Sequence, residues 1–212
     1  MRTELGIANR GGAAVASAAA FAIIVIDLWL APTITASTRL ALSCAALSLY
    51  ALLTRGDWPA LGLTLHPADG WVWWLKATLM IGTGVGVFIL LASGVLWVAR
   101  VDLGVRGFTD ISEFRRFVWH ACLWAPITEE SVYRFALCVP LISLVGERLT
   151  ILASGAAFAA LHFRYGNPAP DNFIAGFALA WAFLRSRTLL VPLGLHALGN
   201  LCVALFLLAK GA

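Results

Sequence analysis

The chain has 212 residues, of which 61% are apolar and only 12% charged, and its mean hydropathy is +0.88. Soluble domains carry about 45–50% apolar and about 25% charged residues, so this composition excludes a soluble globular protein and requires a bilayer as solvent. The net charge of +4 comes from Lys and Arg scattered singly or in pairs, with no basic stripe, which excludes a nucleic-acid surface and leaves lipid headgroups as the partner of the surplus.

Seven apolar segments are predicted, at about 13–35, 38–54, 71–99, 114–139, 148–163, 171–185 and 188–209, judged against the ~20 residues a helix needs to cross the hydrocarbon core. The expected fold class is therefore all-α: a polytopic transmembrane helix bundle of about seven spans, within a range of six to eight. The first segment is long, lacks a cleavage site and is followed at once by another, so it reads as a retained helix and not a signal peptide. Between the second and third, Asp57-Trp58-Pro59 through His66-Pro67-Ala68-Asp69-Gly70 is polar and turn-rich, and Trp71, Trp73 and Trp74 then suggest an interfacial aromatic belt. That stretch is expected along the membrane surface. No linker divides the chain, so residues 1–212 read as one membrane domain. Lys and Arg fall evenly on the two faces of a seven-span arrangement, which leaves the orientation undetermined. Cys44, Cys122, Cys138 and Cys202 lie in apolar runs without C-x-x-C spacing and read as small core residues.

Ionisable residues inside spans cost free energy and must face a partner or a cavity, which singles out Asp27, Glu129, Glu130, Arg134, His162 and His196. Residues four apart stack on one helix face whereas neighbours diverge by about 100°. Glu130 is thus placed to pair with Arg134 while Glu129 points elsewhere. A purely structural ion cluster accounts for Glu130 and Arg134 but leaves Glu129 unassigned. His162 and His196 are each flanked by small residues, Gly155 to Ala157 before the first and Gly194, Ala197 and Gly199 around the second, which predict close helix approach. Counting 1.5 Å per residue from Pro140, Arg148 and Thr188 puts Glu129, His162, His196 and Asn200 in one layer less than about 10 Å thick, expected near mid-membrane.

A carboxylate, two imidazoles and an amide in a partly dry cavity suit hydrolysis of an amide by water. Glu129 is the expected general base and His162 its partner in orienting water. His196 and Asn200, one turn apart, are expected to donate to a developing oxyanion, with Glu130 and Arg134 supporting the base. Glu-Glu-x-x-x-Arg at 129–134, Phe-x-x-x-His at 158–162 and His-x-x-x-Asn at 196–200 resemble, in order and spacing, the three motifs of the CPBP family (CAAX protease and bacteriocin-processing, or Abi). The resemblance spans about residues 57–205, including the Leu61-Gly62-Leu63 turn. It implies an all-helical, glutamate-dependent intramembrane endopeptidase that needs no cofactor and no metal. Residue by residue it implies Glu129 and His162 as the water-activating pair, His196 and Asn200 as the oxyanion side, and Glu130 and Arg134 as supporting positions. The implied partners are the lipid bilayer and a membrane-embedded or membrane-anchored protein, for which a C-terminal anchor segment is one fitting class, and the implied location is the bacterial inner membrane.

Three other readings use the same residues. A zinc protease would take His162, His196 and a glutamate as ligands, but no H-E-x-x-H is present. A serine dyad of Ser154 with His196 leaves Glu129, Glu130, Arg134 and Asn200 unexplained. A non-catalytic binding or transport protein would use the buried charges to hold a partner or gate a solute.

Overall fold

The computed structural model describes residues 4–100, 106–166 and 170–211, and among them the regular structure is helical throughout, with no strand. The main helices are α1 (Arg10–Leu30), α2 (Ala36–Thr54), α3 (Trp71–Val98), α4 (Ile111–Phe117), α5 (Ala125–Glu130), α6 (Leu137–Arg164), α7 (Pro170–Ser186) and α8 (Leu190–Gly211). Two π-helical turns, Val118–Trp124 and Ser131–Ala136, join α4, α5 and α6 into one long run. Each of the seven expected segments is helical, but four helical stretches among the described residues are long and apolar enough to cross a membrane: Arg10–Leu30, Ala36–Thr54, Ile111–Arg164 and Leu190–Lys210. The expected fourth and fifth segments lie in this run on either side of a kink, and Pro140 is not the end of the first. The break falls instead at Gly146, whose φ of 77° and ψ of 175° are accessible chiefly to glycine. α7 has 17 residues.

Outward-facing apolar side chains are the rule. Phe21, Trp29, Leu52, Met80 and Val98 are all more than two-thirds exposed, as hydrocarbon-facing residues of an integral membrane protein are. Cys44 and Cys202 belong to this outer surface, and Cys138 alone of the four is fully buried, so the expectation of core cysteines holds only there. Trp71 and Trp73 are exposed at the start of α3, but Trp74 turns inward against Ala182 and Val191 and is no belt residue. Much of the polar segment before it is packed down as well. Leu61 is completely buried, Gly62 adopts φ +72° where a Cβ would strike the Phe183 ring, and the Gly62 carbonyl accepts from Leu189 N–H.

The inner core joins α1, α2, the π-turn Ser131–Ala136 and α6. α6 crosses α7 at Gly155 and Gly176, where added Cβ atoms would meet the Phe177 ring and the Gly155 carbonyl respectively. This is the close approach expected from the small residues before His162. Around His196 the expectation fails, since a Cβ on Gly194 or Gly199 would meet nothing within 4 Å among the described residues.

The two prolines of the long run explain its irregularity. Proline has no N–H and its ring crowds the carbonyl four residues back, which widens a helix locally. Ahead of Pro126, Ala125 N–H bonds His120 O in π register. Ala121 O then has no backbone donor five residues on, because that position is Pro126, and Asn200 Nδ2 donates to it from α8. Pro140 likewise cannot serve Ala136 O, and the buried Tyr50 hydroxyl donates there from α2. Each carbonyl left over by a proline thus becomes a point where another helix attaches.

Candidate active site

Glu129 and Glu130 close the short α5 between the two π-turns, and both are buried. Their surroundings differ. Glu130 is fully committed: Oε1 accepts from His196 Nδ1–H at 2.8 Å, and Oε2 lies 3.0 Å from Arg134 Nε. The Arg134 contact is one of charge without hydrogen-bond alignment, and none of its guanidinium nitrogens has a hydrogen-bond partner among the described residues. Its guanidinium carbon sits 4.6 Å over the Phe158 ring, so charge and a π face together hold a wholly buried cation. The expected Glu130–Arg134 pair is therefore present, with His196 as its third member.

Glu129 stands more freely. Its Oε1 is 3.8 Å from Arg39 Nη1 and its Oε2 is 4.0 Å from His196 Nε2. Both separations exceed a direct hydrogen bond and are of the length a small bridging group spans.

His162 lies near the end of α6. Its Nδ1 pairs with Phe158 O at 3.0 Å, and because a carbonyl only accepts, Nδ1 carries the proton. The neutral ring then presents a lone pair at Nε2. Phe158, Tyr165 and His162 are in ring contact, and the edge of Phe158 also meets His196. By the same argument Nδ1 of His196 donates to the Glu130 carboxylate, and its Nε2 bears a hydrogen only when the ring is an imidazolium. Asn200 reaches the site's margin with one amide hydrogen engaged on Ala121 O.

The second ionic cluster is one that sequence reasoning missed in part. Asp27, singled out but given no role, is completely buried and accepts two bonds from Arg39, at 2.6 Å from Nε and 3.2 Å from Nη2, and a third at 2.7 Å from the Tyr133 hydroxyl. Arg39 lies inside the expected second segment, but no local spacing gives it a partner. Thr35 is the N-cap of α2, which starts at Ala36, two residues earlier than expected. The cap signal, a threonine just before an apolar run and two residues beyond Pro32-Thr33, was in the sequence.

His162 is two residues from the end of α6, and Asp27 and Arg39 are within a turn of the α1–α2 connection. The charged groups gather toward one end of these three helices. Arg164 marks that end, donating from Nε to the Leu28 carbonyl of α1.

Ser154 is not where a dyad needs it. Its hydroxyl donates to Tyr133 O at 2.8 Å, which ties α6 to the second π-turn. No group of three or more His, Cys, Asp and Glu side chains among the described residues is arranged to hold a metal ion.

Comparison with known proteins adds one finding. Neither the curated proteins nor the solved structures gave a match. Residues 112–202, the stretch that holds Glu129, Glu130, Arg134, His162, His196 and Asn200, match the family model described as Rce1-like, type II CAAX prenyl endopeptidase, so for this segment the CPBP resemblance carried by the three motifs is shown.

Proposed function

We propose that the chain is a glutamic-type intramembrane endopeptidase, multi-pass in the bacterial inner membrane, that hydrolyses a peptide bond of a membrane-embedded or membrane-anchored protein. One observation carries this reading above all. Two adjacent buried carboxylates are treated oppositely, Glu130 locked at 2.8 and 3.0 Å and Glu129 left about 4 Å from its nearest charged partners. A structural ion cluster has no use for the second arrangement, whereas a general base must keep its oxygens accessible to the proton it takes.

In the proposed reaction Glu129 accepts a proton from water, which His162 orients through the lone pair at Nε2. The hydroxide attacks the scissile carbonyl carbon, and the carbonyl π electrons move to oxygen. His196 as imidazolium, held in orientation by Glu130, donates Nε2–H to that oxyanion, and the remaining amide hydrogen of Asn200 is the second donor. Collapse of the tetrahedral intermediate expels the amine, which takes the proton from Glu129. Arg134 anchors Glu130 and so acts on His196 from behind. No cofactor enters this sequence. Residues 57–205 form the catalytic core of the proposed single domain, and a C-terminal anchor segment is the substrate class that suits a site beside one end of the bundle.

The test is mass spectrometry of membrane-protein termini in cells carrying the wild-type chain or Glu129→Gln. Neo-C-termini that depend on Glu129 are expected, and they name substrate and bond together. Identical termini in the two strains would overturn the protease reading in favour of a non-catalytic membrane protein.

A further inference from the structure

The helices α1 and α2 precede both the motif resemblance and the matched segment, yet they put a cation beside Glu129. Arg39 Nη1 approaches Glu129 Oε1, while Nε and Nη2 of the same guanidinium are taken by Asp27. Asp27 is in turn held by the hydroxyl of Tyr133, one helical turn beyond Glu129 on the same run. The Tyr165 ring faces Arg39 at 5.4 Å and also contacts His162, so one aromatic ring lies against both the guanidinium and the proposed water-orienting imidazole. Arg39 is 5% exposed and Asp27 fully buried, which makes this a built arrangement rather than a chance surface pair.

We infer that Arg39, held by Asp27, is a positioning residue for Glu129, and that the α1–α2 hairpin is part of the catalytic apparatus. The inference rests on the reading of Glu129 as the base. Its logic is division of one cation between two carboxylates. A guanidinium bonded directly to Glu129 would occupy the lone pairs that must receive the proton, as His196 occupies one on Oε1 of Glu130. By engaging two nitrogens of the fork, Asp27 leaves Arg39 near enough to fix the direction of Oε1 and too far to block it. Oε2 is thereby kept toward His196 and the space that His162 adjoins.

The experiment uses the full-length chain in proteoliposomes with the substrate that the termini comparison identifies. Asp27→Asn with Arg39→Gln removes both charges together and orphans neither. It is expected to melt like the wild type and to lose about 10²-fold in kcat, the scale of a base displaced by about 1 Å, with KM unchanged. Arg39→Lys keeps the charge but not the fork, and its kcat is expected between those of the double variant and the wild type, which also serves if the double variant melts early. Wild-type kcat in either folded variant overturns the inference. A raised KM at unchanged kcat overturns it too, assigning Arg39 to substrate binding. Glu129→Gln is run alongside: if that variant cleaves normally, the base assignment itself has failed and the inference falls with it, whereas an inert Glu129→Gln with a fully active double variant rejects only the role of Arg39.

Discussion

Among the described residues two carboxylate–arginine pairs are buried, and they are built in opposite ways. Glu130 and Arg134 are four residues apart on one helical run, inside the segment that matches the CAAX-protease family, and His196 completes them. Asp27 and Arg39 are twelve residues apart on two helices outside that segment, joined at 2.6 Å and tied to the rest by Tyr133. Local spacing produces the first pair wherever the chain is helical. The second exists only if α1 and α2 align in one register and both dock on the helix of Glu129. The comparison teaches that a buried ion pair can close on itself, as Glu130 does, or leave a neighbour poised, as the Asp27–Arg39 pair does for Glu129.

Glu129→Gln tests the poised side and carries the largest expected effect. Size and hydrogen bonding are kept while the proton acceptor is lost, so kcat should fall by about 10²–10⁴-fold. Arg39 retains Asp27 as its countercharge, so the melting temperature in detergent should stay near that of the wild type. A variant that melts early and still cleaves would exchange the roles of the two glutamates.

Glu130→Gln tests the closed side. It strips Arg134 of its countercharge at a site with no exposure, and breaking a buried pair this way costs about 3–5 kcal/mol. The melting temperature should drop, with activity falling through loss of structure and of the His196 orientation. Adding Arg134→Met removes the orphaned cation, so part of the lost stability should return. If Glu130→Gln is inert yet as stable as the wild type, Glu130 is chemical and not structural.

Smaller effects probe the joints between the pairs. Tyr50→Phe leaves the Ala136 carbonyl without its side-chain donor beside Pro140, which should cost about 1–3 kcal/mol in thermal or denaturant unfolding and leave kcat per folded molecule unchanged. Ser154→Ala removes one interhelical bond to Tyr133 and should lower stability by about 0.5–1.5 kcal/mol, with cleavage nearly intact. Abolished cleavage in folded Ser154→Ala would revive the serine dyad. Chelation of the purified protein should leave cleavage unaffected. Loss that zinc alone restores would move the mechanism to a metal.

How much was legible follows the same division. Glu130 with Arg134, and the placement of His196 one turn before Asn200, follow from a period of 3.6 residues, and the structure has the first as an ion pair. The apolar runs became helices for the same reason. Arg39 stood inside the expected second segment without a role, because no local rule says which helix faces its side chain. Tyr133 is an unassigned position of the Glu-Glu-x-x-x-Arg motif, and its hydroxyl gains meaning only once Asp27 is opposite it. The attachment of Asn200 at Ala121 could be foreseen only by following which carbonyl Pro126 leaves unserved in a π-turn. A helix end at Pro140 was the expectation, whereas the helix runs on to the kink at Gly146, two residues before Arg148.

The Asp27–Arg39 contact also bears on how the chain is assembled during synthesis. A lone aspartate or arginine entering the bilayer core costs about 2.5–3.5 kcal/mol on insertion scales, which two separate helices would each face in full. Since α1 and α2 are joined by a short connection and their charges meet next to it, they can enter as one electrically neutral helical hairpin before residue 111 has left the ribosome. The later helix then arrives at a prepared dock, and Tyr133 finds Asp27 already held in place. Translation order would thus seat Glu129 against a template that α1 and α2 have already laid down.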